Sequence, residues 1–181
     1  MSLRTLATTK GTLLCVFLLT ALAAFGPATS SAASKSKEGS PLPHFSAVDM
    51  DGNTFDTKDL KNQALLIDFW SIYCSSCIQE MPHIINFYNK YKDKGLTVVG
   101  IDLDIYGAKR VRKFLKGLDF TIPYPNIIDK KMEIKNLLAV SMLPTTVLVD
   151  PAGVIRMYHV GYKPGFEREL EEAIKRHLPA P

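Results

Sequence analysis

The apolar positions along the chain change period from block to block. "ALLIDFW" (64–70) is a continuous apolar run broken only by Asp68, the pattern of a strand covered on both faces. "LTVVGIDLD" (96–104) is a second such run. Between them Met81, Ile84, Ile85 and Tyr88 recur at helical spacing. They predict a helix from about Cys74 or Ser75 to Tyr91, stopped at Gly95. Strand, helix, strand in that order predicts a parallel βαβ unit. A second helix is predicted over 107–118, with Val111, Phe114, Leu115 and Leu118 as its apolar stripe. Its other side carries Lys109, Arg110, Arg112, Lys113 and Lys116, read as a solvated face. "PYPNIID" (123–129) suggests a short extended piece, and 130–138 a third helix. "TTVLVDPAGVIRMYHV" (145–160) reads as two strands turning at Pro151–Gly153. The last helix, 165–178, buries Phe166, Leu170, Ile174 and Leu178, with acids early and bases late as the helix dipole favours. Ahead of all this, "HFSAVDMDGNTF" (44–55) predicts a hairpin turning at Asp51–Gly52, and 57–61 a brief helical turn. The class is α/β, a mixed sheet flanked by helices.

The first 33 residues do not fit that pattern. Arg4 and Lys10 precede an uncharged apolar run of 15, "GTLLCVFLLTALAAF" (11–25), and small residues follow, with Ser31 and Ala33 at a signal-peptidase spacing. This is the three-part layout of an export signal. A spanning helix wants about 20 apolar residues, so length favours a cleaved signal over a retained membrane anchor. Residues 34–43, "SKSKEGSPLP", read as a polar tether, and 44–181 as one domain. The net charge is +4 over 181 residues; beyond the leader, 20 basic residues face 18 acidic ones. That balance gives no reason to expect a nucleic-acid partner.

Cys15 falls in the leader, which leaves Cys74 and Cys77 in the domain. A structural disulfide across two residues closes a tiny loop and stabilises little. Zinc wants about four ligands; there is no second cysteine pair, and only His83 lies nearby in sequence. Haem attachment wants a histidine after the second cysteine, where Ile78 stands. The Pro and Thr that precede the reactive cysteine of single-thiol peroxidases are missing. Redox exchange remains. Cys74 sits between a buried strand and a helix start, where unpaired N–H groups and the dipole favour a thiolate. Thiols in such motifs titrate at roughly 3.5–7.5, against about 8.5 for a free cysteine. Cys77, one turn on, should face inward and resolve the mixed disulfide that Cys74 forms.

"IDFWSIYCSSCIQEMP" together with "SMLPTTVLVDPAGVI" resembles the thioredoxin superfamily, in particular its TlpA/ResA-type extracytoplasmic thiol–disulfide oxidoreductases. The resemblance runs over 41–178. It implies a thioredoxin fold with an N-terminal hairpin and an insertion over about 104–128. It places Pro144 at a cis-proline position after Leu143, where the backbone can pair with substrate and keep metal out. It places Asp68 as a buried acid behind Cys77, against the plain reading of a hydrogen-bonded or outward Asp. Glu80 falls where an acid tunes the active site, against that of a solvated helix residue. Pro82 matches a helix-kink proline.

The chain departs from the family at several points. Tyr73 stands where Trp usually precedes the first cysteine, and Trp70 lies earlier. Ser75 and Ser76 fill the space between the cysteines, and both hydroxyls are placed to donate to a thiolate. No basic residue follows Cys77. His44, His159 and His177 are read as surface or packing residues.

The resemblance implies an enzyme with no cofactor beyond its own disulfide. The expected task is reduction of disulfides in exported proteins, with apocytochrome c as leading client, a membrane thiol-transfer protein as electron donor, and a monomeric state. The alternatives are an oxidase or isomerase of exported proteins, and a binding or chaperone module with an idle pair.

Overall fold

The computed structural model describes residues 37–180; the export signal or anchor expected over 1–33 lies outside them. Among the described residues no helix is long and apolar enough to cross a membrane. The elements, in chain order, are β1 (Ser46–Val48), β2 (Thr54–Asp56), β3 (Ala64–Trp70), α1 (Ser75–Tyr91), β4 (Leu96–Asp102), α2 (Ala108–Leu115), β5 (Asn126–Ile128), α3 (Glu133–Leu137), β6 (Thr145–Val149), β7 (Ile155–Val160) and α4 (Phe166–His177). β1 and β2 form the expected hairpin, and one 3-10 turn follows over Thr57–Asp59.

The five-stranded sheet has the order β5-β4-β3-β6-β7. β3 is its centre, parallel to β4 and antiparallel to β6. Every β3 residue is buried, because each face meets its own layer. Leu65, Ile67 and Phe69 pack with the hairpin's Phe45 and Phe55 and with Val99, Ile101 and Val147. Leu66 packs with Ile84 and Phe87 of α1 and with Leu170 and Ile174 of α4. Full burial of a side chain such as Ile84 or Phe87 contributes about 1.5–3 kcal/mol, which holds α1 against the sheet. Trp70, at the strand's end, forms a third cluster with Cys77, Met81 and Val111. The 104–128 insertion is α2 plus β5, and β5 extends the sheet beyond β4.

Several predicted boundaries move, for local reasons. β4 ends at Asp102 rather than 104, because the Asp104 N–H turns to the Asp102 carboxyl. α3 starts only at Glu133: Met132 is left-handed (φ 59°), and the Asp129 carboxylate caps Glu133 and Lys135. The tether is also shorter than expected. Gly39 donates to the Ile155 carbonyl, Leu42 to that of Gly153, and Ile155 to that of Ser40. Residues 39–42 therefore belong to the domain. His44 pairs with Asp56 at 2.9 Å, and His159 stacks on Phe166.

Candidate active site

The carboxyl end of β3 runs through Ser71–Tyr73 into α1, so the chain turns from a buried strand onto a helix mouth. Cys74 is the residue before the helix, extended at φ −98° and ψ 95°, and its Sγ accepts the Cys77 N–H at 3.2 Å. Cys74 and Cys77 form a disulfide. Cys74 is half-buried, while Cys77 is 1% exposed and packs on Trp70 and Met81. The inward and outward positions expected from the helical turn are thus realised. Ser76 Oγ lies 3.5 Å from Cys74 Sγ. Ser75 is exposed and makes no such contact, so one hydroxyl faces the sulfur rather than two. Pro82 is on the exposed side of α1, and the helix continues through it.

The two acids that the resemblance singled out are both inside the protein. Asp68 and Glu80 are each 1% exposed. Glu80 follows Cys77 by one turn on the buried side of α1. Its Oε1 accepts from the Thr146 hydroxyl at 2.8 Å, and Thr146 is the register neighbour of Asp68 across β3 and β6. The carboxyls therefore crowd together behind the disulfide. Asp68 Oδ1, Glu80 Oε2 and the Tyr124 hydroxyl are buried with no hydrogen-bond partner among the described residues. Burial drives the Asp68 carboxyl well above the usual carboxylate range, and the nearby Glu80 charge adds to this. Burial raises Glu80 to about 7, against a pull downward from Thr146. A group at that value gives and takes a proton near neutral pH.

The peptide bond between Leu143 and Pro144 is cis. Leu143 packs into the cluster that holds Cys74 and Cys77, and Met142 just before it is 63% exposed. Trp70 is fully buried, and its indole N–H donates to Asn126 Oδ1 at 3.1 Å. Tyr73 takes the exposed place at the active-site rim, 61% open.

Sequence reasoning missed a second pair of acids. Asp104 accepts the Ser71 hydroxyl at 3.0 Å and the Ile72 N–H at 2.8 Å, one with each oxygen. Ser71 in turn accepts the Tyr73 N–H at its Oγ and the Cys74 N–H at its carbonyl. Asp104 thus fixes the whole loop that delivers Cys74. Asp102, behind it, is raised to about 9 by burial and by its hydrogen bond to, and repulsion from, Asp104. The signal was present in "DLD" at the carboxyl end of a strand parallel to β3, since parallel neighbours end on the same side. Thr146, Tyr124 and Asn126 carry no comparable signal. Among the described residues no group of His, Cys, Asp and Glu is arranged to hold a metal.

The comparisons with known proteins agree with this geometry. The AhpC/TSA family profile matches residues 39–158, starting where the structure starts the domain. The thiol-disulfide oxidoreductase ResA of Bacillus thuringiensis subsp. konkukian is 32% identical over 145 residues, 80% of this chain and 81% of its own length. A Chlorobium tepidum protein assigned as the thiol:disulfide interchange protein DsbE superposes with a TM-score of 0.72 at 29% identity, covering 78% of this chain and 97% of that one. The thioredoxin domain of a Bacteroides vulgatus thiol-disulfide oxidoreductase gives 0.64 at 26% identity, covering 76% and 97%. With a helix-mouth cysteine pair set on this sheet, the chain belongs to the AhpC/TSA family, as a thioredoxin-fold thiol–disulfide oxidoreductase of the TlpA/ResA type.

Proposed function

We propose that the chain works outside the cytoplasm as a reductase of disulfides in exported proteins. Its leading client is an apocytochrome c whose haem-attachment cysteines must be reduced before ligation, and a membrane thiol-transfer protein returns its electrons. The observation that carries the direction is the pair of buried acids behind Cys77. A strongly oxidising pair depends on a stabilised thiolate in its reduced form. Burial in a low-dielectric site opposes an added negative charge, the Glu80 carboxyl at about 7 adds a partial one of its own, and Ile78 and Gln79 supply no cation after Cys77. The reduced form is therefore less stabilised, and the potential is lower. The leader over 1–33 supports export. Nothing in the cycle requires a second subunit.

In the working direction the Cys74 thiolate attacks one sulfur of the client disulfide. That bond breaks, a Cys74–client bond forms, and the client's other sulfur leaves as a thiolate that takes a proton. Cys77 passes its proton to the carboxyl pair and attacks Cys74 Sγ, which expels the client's second thiolate. The protein ends oxidised as the Cys74–Cys77 disulfide and the client ends reduced by two electrons. A donor dithiol then reverses the exchange at Cys74.

Equilibration of the pair with glutathione buffers tests the direction. The expected potential lies nearer the roughly −270 mV of thioredoxin than the roughly −120 mV of the oxidant DsbA. A value at the oxidising end would assign the chain to disulfide formation instead. Cys74→Ser should abolish turnover, and Cys77→Ser should accumulate mixed disulfides on a non-reducing gel. Full client protection by Cys74→Ser would favour an idle pair on a binding module.

A further inference from the structure

Beside Cys74 the surface exposes large aromatic and aliphatic side chains. Tyr73 and Tyr106 are 61% and 58% exposed and meet edge to face at 6.2 Å. Ile105, next to Tyr106, is 55% exposed. Arg110 lies over both rings, 4.5 Å from the Tyr106 centroid and 5.5 Å from that of Tyr73. Next to this stack a groove of about 520 Å³ runs between the Cys74 loop and α2, lined by Ile72, Tyr73, Arg110, Lys113, Phe114 and Leu118.

α2 is divided by its helical periodicity. Val111 and Leu115 turn inward, into or against the cluster that holds Cys77. Arg110, Lys113 and Phe114, at i, i+3 and i+4, line the groove. Arg112, on another side, pairs with Asp51. Among the described residues neither Arg110 nor Lys113 pairs with a carboxylate. A guanidinium stacked on aromatic rings keeps its N–H edge free for bidentate contact with a carboxylate. The basic face that sequence alone reads as solvated therefore has one part with a defined shape, an apolar floor and two available cations. It begins at the residue before Cys74.

We propose that this groove docks the client segment flanking the cysteine under attack, and that it selects segments carrying a carboxylate beside an aromatic or aliphatic side chain. The proposal rests on Cys74 being the sulfur that bonds the client. The apolar floor and the tyrosine pair take the hydrophobic side chain. Arg110 and Lys113 take the carboxylate and speed encounter.

The test uses the Cys77→Ser protein, in which only Cys74 reacts. Short peptides carry one cysteine bonded to 5-thio-2-nitrobenzoate, with Asp-Phe, Ser-Phe or Lys-Phe beside it. Attack forms the Cys74–peptide disulfide, breaks the bond to the nitrobenzoate sulfur and releases that sulfur as a coloured thiolate, which reports the rate. The Asp-Phe peptide should react about tenfold faster than the Lys-Phe peptide at low ionic strength, the scale of one or two exposed ion pairs. The difference should shrink at about 0.5 M salt. Arg110→Gln with Lys113→Gln should bring the two rates within about twofold.

Lys58→Gln with Lys61→Gln removes the same charge ahead of β3, at the strand end away from Cys74, and should leave the preference intact. Equal rates for the acidic and basic peptides, or equal loss of preference in both double variants, would overturn the groove. Failure of Cys74 to react even with an uncharged small disulfide would overturn the role of Cys74, and the groove with it.

Discussion

Glu80→Gln should flatten the fall in stability that the folded protein suffers as pH rises toward neutrality. Glu80 is buried, and its carboxyl is raised from 4.5 to about 7. Between those two values the folded chain keeps a proton that the unfolded chain has released. The Glu80 contribution to stability therefore falls as pH rises through this window and levels off above about 7. At 1.36 kcal/mol per pH unit the fall amounts to about 3 kcal/mol. Glutamine keeps the acceptor for the Thr146 hydroxyl but does not titrate. It also places an amide where Oε2 has no partner among the described residues, a cost that does not vary with pH. The slope, not the absolute stability, is thus the readout. Asp68 and Asp102, raised by burial, act in the same sense, and His159 and His177, lowered by burial, in the opposite one, but both proteins carry all four. The assay is urea unfolding of the oxidised protein at steps from pH 4.5 to 8, wild type against variant. The stability of the wild type relative to the variant should drop by about 3 kcal/mol across the series. Parallel curves would refute a proton-holding Glu80, and a relative gain by the wild type would reverse the sign of the argument.

Other sites give independent checks. Asp104→Ala removes the acceptor of two hydrogen bonds to the Ser71–Ile72 loop and should cost about 3 kcal/mol in urea unfolding. Gly100→Ala puts a Cβ 2.2 Å from Asn126 Oδ1 and 3.2 Å from the Trp70 indole nitrogen. It should destabilise by about 1–3 kcal/mol and change Trp70 fluorescence, since it crowds the only tryptophan. Tyr124→Phe deletes a buried hydroxyl that has no partner among the described residues and should stabilise by about 1 kcal/mol. A loss instead would mean that the hydroxyl is bonded between the acids.

Most of the framework was legible because each signal is local. A short run that is apolar at all but one position fits a strand covered on both sides, and its single acid, Asp68, stands out against it. The helical spacing of α1 predicts its inner stripe through Met81 and Ile84, but it does not mark Glu80, which lies on that buried face with Cys77 and is singled out only by the resemblance. What stayed hidden depends on pairing between distant segments. Thr146 reaches Glu80 only because β6 lies antiparallel beside β3 in one register. Asp104 reaches Ser71 only because β4 ends level with β3. The stretch 39–42 reads as a tether by composition, and joins the domain through backbone bonds that composition does not encode.

The site thus has a buried side and an exposed side, joined by one short loop. In the proposed cycle, the acids behind Cys77 handle the proton and set the potential. The tyrosines and cations of the groove govern which client is held. Ser71–Tyr73 belongs to both, since it carries Cys74 by its backbone and Tyr73 by its side chain, and Asp104 anchors it by two hydrogen bonds. Changes confined to opposite sides, share no partner and should add within about 0.5 kcal/mol. Glu80→Gln should therefore shift the potential and leave peptide preference alone. Arg110→Gln with Lys113→Gln should do the reverse. Asp104→Ala loosens the piece that both sides share, so it should lower the alkylation rate of reduced Cys74 and the acidic-peptide preference together. Combined with either of the others, its effect should fall short of the sum. If Asp104→Ala moved only one readout, the loop would not be the rigid joint that its hydrogen bonds describe.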